Sequence, residues 1–337
     1  MTVQLDPAQF RSFAEFSQLK LNVGGPDVHM HEAHQLLEHS SWLRERAGWW
    51  LCAYMTFCSV PPALLIIANW PDPEEVASSD ELLDWVREHW AGLPIRTQRR
   101  PVRSKPKLVK CLQDFAAWDL EYAPRLGEMS YEEAWSSVAD NVKYCGRYVI
   151  IKTLEVFRRL TGFEHLVPPD IRPSGAWSPR RALGMLVPET ASTVGDKHDN
   201  SRSTIALTNL VAEAVRDKLA EELGREVSYY LLEVLLCNWR QTQHGTLYVG
   251  RTIDSELAYY HKVAKYMASL GGDMPLERAF FQARREAFPA ECLGELQGWD
   301  DVRVPLKHVF AQQGYFWSDV LYSWAESEND LAHPVRR

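Results

Sequence analysis

The chain has 337 residues, 46% hydrophobic and 24% charged, which is ordinary for a soluble globular protein with one large or two modest domains. Its 37 basic and 45 acidic residues give a net charge of −8, which argues against a surface coated in positive charge for duplex DNA. A local basic groove stays open, because charge is screened within about 10 Å at ordinary salt. No apolar run approaches the ~20 residues of a membrane span. The start, Met1 to Asp6, has neither the basic nor the greasy stretch of a secretory signal. The six cysteines include no C-x-x-C pair, so a reduced, cytoplasmic protein without a thiolate zinc site is expected.

In chain order, helical period predicts a helix over 31–50, with Leu36, Leu37, Trp42 and Leu43 on its apolar side. Trp49, Trp50, Tyr54, Phe57 and Trp70 form an aromatic cluster expected in the core, with a base-stacking wall as the alternative. Residues 61–67 read as extended. Ser79-Asp80 caps a helix over 81–87. Ser130 before Glu133 has the form of a capping box for 131–142. Further helices are predicted over 150–160, 204–223 (closed by Gly224), 227–239, 253–270, 275–287 and 314–326. Residues 245–250 read as a short strand or turn. Strands do not alternate with helices, so a mainly α fold is expected. Polar, small residues over 189–203 read as a mobile loop or linker. It divides lobes 1–188 and 204–337, or sits within one continuous domain.

Three constellations carry chemistry. The stretch 96–110 holds seven basic residues and no acidic one: Arg96, Arg99, Arg100, Arg103, Lys105, Lys107 and Lys110. With its prolines holding it extended, it suits phosphate contacts; a solvated basic loop is the bland alternative. The second runs from Tyr144-Cys145-Gly146-Arg147-Tyr148 to Asp170-Ile171-Arg172-Pro173-Ser174-Gly175-Ala176-Trp177-Ser178-Pro179-Arg180-Arg181. Guanidinium forks match phosphate oxygens and an indole stacks on a base. A helix start with Trp177 packed as a staple also explains it. The third is Cys237-Asn238-Trp239-Arg240 followed by Tyr248-Val249-Gly250-Arg251-Thr252-Ile253-Asp254, where Asp254 can serve as a base or simply as a cap. The run His29-Met30-His31-Glu32-Ala33-His34 lacks the H-E-x-x-H spacing, and no P-loop, G-x-S-x-G or G-x-G-x-x-G occurs.

Together these blocks resemble the phage amino acid:DNA transferases, the α-glutamyl/putrescinyl thymine pyrophosphorylases, over most of 40–265. That family is similar to helix-hairpin-helix DNA glycosylases, so the resemblance implies a helix-hairpin-helix glycosylase-like helical architecture. It implies thymidine hypermodification in phage DNA, within the host cytoplasm. An amino acid or polyamine nitrogen displaces phosphate or pyrophosphate from activated 5-hydroxymethyluracil. The partners implied are DNA containing modified uracil and an amine donor, with no membrane and no cofactor; the sequence leaves a divalent cation open. On this reading Asp170 or Asp254 takes the amine's proton, and Arg172, Arg180 and Arg181 face the leaving group. Arg147 and Lys152 assist, Trp177 stacks, and Arg240 or Arg251 holds the donor. Tyr144, Trp239 and Tyr248 line the substrate, and Arg96, Arg99, Arg100, Arg103, Lys105 and Lys107 touch DNA. A base-excising glycosylase using Asp170 or Asp254, and a non-catalytic module for modified DNA, are the competing expectations.

Overall fold

Helices account for all regular structure in the computed structural model, which describes residues 3–22, 28–95, 102, 104–196, 198–244 and 251–286. The first part of the chain forms α1 (Pro7–Asn22), α2 (Val28–His39), α3 (Ser41–Arg44), α4 (Ala47–Phe57), α5 (Val60–Asn69), α6 (Pro73–Ser78) and α7 (Leu82–Glu88). The middle forms α8 (Lys105–Glu121), α9 (Tyr131–Asn141), α10 (Arg147–Thr161), α11 (Trp177–Leu186) and α12 (Ala191–Val194). The last described part forms α13 (Arg202–Leu223), α14 (Tyr229–Gln243), α15 (Arg251–Ser269) and α16 (Glu277–Glu286). The mainly α expectation is met.

The centre is α4 with α5, which are apolar on every side and therefore sit inside. On α4, Trp49 through Phe57 are all buried; on α5, Val60 through Ile67 are. The indole N–H groups stay bonded: Trp49 Nε1 donates to Trp70 O at 2.8 Å and Trp50 Nε1 to Ala33 O at 2.9 Å. The expected aromatic cluster is thus core. Around this pair, α8 and α10 pack on α4, and α15 packs on α5. Farther out, α14 packs on α11, α1 and α10, and α16 on α2.

Local chemistry explains several helix ends. Ser130 and Glu133 close the expected capping box on α9. Ser79 Oγ accepts from the backbone of Glu81 and Leu82 at the start of α7. Gly224 ends α13 at φ +61°, in the left-handed region that suits glycine.

Other expectations are corrected. Residues 61–67 are not extended but helical. Pro61 and Pro62 fall in the first turn of α5, where no amide hydrogen is needed. Glu256 of α15 then accepts from Ser59 Oγ and Val60 N at 2.9 and 2.8 Å, capping α5 from a distant helix. Residues 105–110 are not an extended strip but the opening of α8, with Pro106 in its first turn. The predicted helix over 31–50 is broken at Ser40, whose hydroxyl caps α3. Helices α1, α6, α8 and α12 were not anticipated. The segment 189–203 carries a turn of 3-10 helix (Pro188–Thr190) and α12, and side chains tie it down as described below. The elements expected over 245–250 and 314–326 lie outside the described residues.

Candidate anion-binding site

A polar stripe on α14 organises the residues singled out in the sequence. Ser228 caps the helix by accepting from Leu231 N. From there Tyr229, Glu233, Cys237 and Arg240 recur at spacings of four, four and three, on one side of an otherwise Leu-rich, buried helix. Seven residues separate Glu233 from Arg240, roughly 10 Å of helix. Two arginine groups form at the two ends of that distance.

At the Glu233 end the guanidinium groups are engaged by protein. Arg147, the first residue of α10, donates through Nη2 and Nη1 to Glu233 Oε1 and Oε2 at 2.5 and 2.8 Å, and also to Ile171 O at 3.0 Å. Glu233 is 3% exposed, so this is a buried, bidentate pair. Arg172 has φ +49° and sits with its guanidinium carbon 5.2 and 4.8 Å from the rings of Tyr131 and Trp135 on α9. Glu132 pairs with the same guanidinium. Asp170 makes the turn: Oδ1 accepts from Arg172 N at 2.7 Å and Oδ2 from Asn209 Nδ2 at 2.9 Å. Both carboxylate oxygens therefore hold the loop. Burial is the main force pushing the Tyr131 hydroxyl above the ordinary phenol range, with the Arg172 charge acting against it.

At the Arg240 end the picture reverses. Trp177, at the start of α11, is 40% exposed. The Arg181 guanidinium lies 4.6 Å and that of Arg240 5.1 Å from its ring. Arg240 Nη1 also donates to Ser178 Oγ at 3.4 Å. Among the described residues neither Arg181 nor Arg240 has a carboxylate partner. Burial first, and the Arg181 charge second, lower the proton affinity of Arg240 below its ordinary value. Two like charges held against one indole mark a locally electropositive surface in an acidic chain.

The neighbouring Arg180 points the other way and is 1% exposed. Its Nε donates to Val194 O at 2.7 Å, Nη2 to Asp199 O at 2.9 Å, and Nη1 to Asn200 Oδ1 at 3.2 Å. It is a clamp on 194–200, not a group facing a leaving phosphate. Trp239 is likewise core, edge-on to Phe13 at 5.4 Å with Nε1 on Ser12 Oγ, and lines no substrate surface. Lys152 is fully buried, its ammonium 5.6 Å from the Tyr54 ring. Asp254 is 1% exposed in the first turn of α15, and Arg251 beside it is half-buried. Tyr144 is 39% exposed just ahead of α10. Lys105 and Lys107 stand at the start of α8; Arg96, Arg99, Arg100, Arg103 and Tyr248 lie outside the described residues.

The structure thus gathers Arg147, Arg172 and Asp170 at one end of the stripe and Trp177, Arg181 and Arg240 at the other. Sequence reasoning missed Glu233, Ser178 and the Tyr131–Glu132–Trp135 cradle. The charged residue breaking the Leu-rich pattern of α14 was the available signal for Glu233. A cavity of about 440 Å³, lined by Glu128, Glu133, Asp140 and Arg125 among others, runs along the far side of α9 from this cradle. Among the described residues no group of three or more His, Cys, Asp or Glu could hold a metal ion, and no helix is long and apolar enough to cross a membrane.

Neither a protein-family model, nor a curated protein, nor a solved structure matches the chain.

Proposed function

We propose that the chain is a transferase of DNA thymidine hypermodification, acting on 5-hydroxymethyluracil activated as a phosphate or pyrophosphate ester. The reading rests on its motif resemblance. The observation that carries it is the exposed indole of Trp177 flanked by two guanidinium groups without carboxylate partners. An extruded pyrimidine stacks on the indole, and its anionic substituent meets Arg181 and Arg240. The nitrogen of an amino acid or polyamine attacks the methylene carbon. The C–N bond forms as the C–O bond breaks, the electron pair leaves with the phosphate or pyrophosphate, and the amine's proton passes to solvent. Fixed guanidinium groups stabilise the departing charge without reorganising. Arg147 and Arg172 position the loop that carries Trp177. Lys105 and Lys107 hold the DNA backbone. A helix-hairpin-helix glycosylase-like architecture is part of the same proposal.

A second reading, a non-catalytic module for modified DNA, has one observation in its favour. Both oxygens of Asp170 are occupied and Asp254 is 1% exposed, so neither carboxylate expected to act as a base stands open. The same fact weighs against base excision.

Mass spectrometry of nucleosides from activated DNA incubated with the protein and amines separates the readings. A nucleoside heavier than the 5-hydroxymethyluracil nucleoside by the donor's mass less one water, with phosphate or pyrophosphate released, is expected. Unchanged nucleosides with every amino acid and polyamine tried would reject the transferase, and abasic sites would reveal a glycosylase.

A further inference from the structure

Tyr144 holds φ +62°, a left-handed conformation that bulky side chains avoid, and 39% of the residue is exposed. Lys107 Nζ lies 5.4 Å from the centre of its ring. Close by in sequence, Lys105 Nζ lies 5.9 Å from the centre of the half-buried Trp90 ring. Among the described residues neither lysine pairs with a carboxylate, whereas the next cation along α8, Lys110, is held by Asp114 at 2.6 Å. Both of these lysines fall in the first turn of α8, which contains no acidic residue. Positive charge there opposes the helix dipole, so these charges do not serve the helix. They close a fifteen-residue stretch, 96–110, with seven basic residues and no acidic one, in a chain of net charge −8.

We propose that this surface binds an unpaired nucleic-acid strand, with the Tyr144 ring stacking on a base and Lys105 and Lys107 meeting the flanking phosphates. The proposal rests on the DNA-directed reading above and adds the strand state that the protein recognises. An exposed ring offers its face to a base only when that base has left its own stack, whereas duplex bases show edges alone. A cation above a ring and a second cation two residues away on the same helix supply what a single strand requires: a π-face for a base and positive charge for its backbone. A protein partner would need acidic patches to match the same lysines, and it would gain nothing from a strained tyrosine. Tyr144 lies three residues before Arg147, so the strand would run toward the loop that ends in Trp177. A base unstacked at one point and extruded at the other belong to one distorted segment.

The test uses the full-length protein and fluorescence anisotropy with a labelled, unmodified 12-nucleotide oligodeoxythymidylate and a duplex of equal length. The single strand is expected to bind more tightly. Tyr144→Gly, which accepts the left-handed backbone without strain, is expected to weaken single-strand binding about 5- to 100-fold. Tyr144→Phe keeps the ring and is expected to stay within about twofold of wild type. Replacing both Lys105 and Lys107 with Gln is expected to lower the slope of log affinity against log salt by about 1.4. Circular dichroism monitors folding of each variant. Wild-type affinity in a folded Tyr144→Gly protein, tighter binding to the duplex, or no binding to the single strand overturns the proposal. Amine transfer to activated DNA is assayed separately: its absence alongside Tyr144-dependent binding rejects the proposed chemistry and supports the strand surface. Anionic vesicles bound with the same Tyr144 dependence, and oligonucleotide not bound, would assign the surface to a membrane and overturn the proposal.

Discussion

Arg180 and Arg181 are adjacent in sequence yet belong to opposite regions of the molecule. Arg180 is buried and donates to two backbone carbonyls and an amide oxygen within 3.2 Å, while Arg181 lies over an exposed indole with no carboxylate partner among the described residues. The same contrast separates Arg147, locked to Glu233, from Arg240, which among the described residues reaches Ser178 and Trp177 and no carboxylate. Residue type therefore says little about role here. What distinguishes a clamp from a ligand-facing group is whether the protein itself consumes its donors. One helical step of about 100° is enough to move a side chain from one class to the other.

The largest effects should come from breaking the consumed set. Arg147→Ala leaves Glu233 buried without its partner and is expected to cost about 3–5 kcal/mol in urea unfolding. Arg180→Ala strips the carbonyls of Val194 and Asp199 of their donor and should cost about 3 kcal/mol. If either variant unfolds like wild type, the clamp assignment fails. Arg181→Ala and Arg240→Ala should do the opposite. Stability should shift by no more than about 0.5 kcal/mol, while amine transfer measured by product release falls about 100- to 1,000-fold. Equal losses of stability in both sets would erase the distinction. A smaller effect is expected at Trp177. Trp177→Ala should weaken binding of activated DNA about tenfold, and Trp177→Phe should recover most of it, as read by anisotropy.

The smallest effect sharpens the contrast with a half-buried carboxylate that pairs with no cation among the described residues. Asp119 presses on Gly48 at the start of α4, where an added Cβ would come within 2.1 Å of its Oδ1. Burial lifts its carboxyl to about 7 from an ordinary 3.8. The folded state then binds more protons than the unfolded state between about pH 4 and 7. Its contribution to stability is present in acid and is lost as pH rises through 7. Asp119→Asn should flatten that slope and raise the melting temperature above pH 7; an unchanged pH profile would reject it. His34 works with the opposite sign. Burial, chiefly, draws its imidazole down to about 4, so its share of stability is lost as pH falls from 6.5 toward 4.

Much of the helical content was legible because it depends on short-range signals. The capping box at Ser130, the glycine closing α13 and the apolar period of α10 and α15 are encoded within a few residues. Residues 61–67 misled because an apolar run bounded by prolines has no periodicity when every face is buried. Its capping partner, Glu256, lies almost 200 residues away. The sequence placed Trp177 and Arg181 in one block and Arg240 in another, and the structure brings the three side chains together. Arg180, Trp239 and Asp170 were assigned to substrate because donors, rings and carboxylates look alike in sequence whether or not the fold occupies them.

By itself the amino-acid order determined a helical protein, the local charge anomaly at 96–110 and an arginine-rich loop ahead of a helix. Each follows from nearest-neighbour propensity, capping and composition, which act over a turn or two. Only the tertiary structure decided which guanidinium groups stay open. That depends on distant partners, Glu233 for Arg147, Glu132 for Arg172 and the 194–200 backbone for Arg180, and burial charges a full desolvation penalty for any polar group left without one.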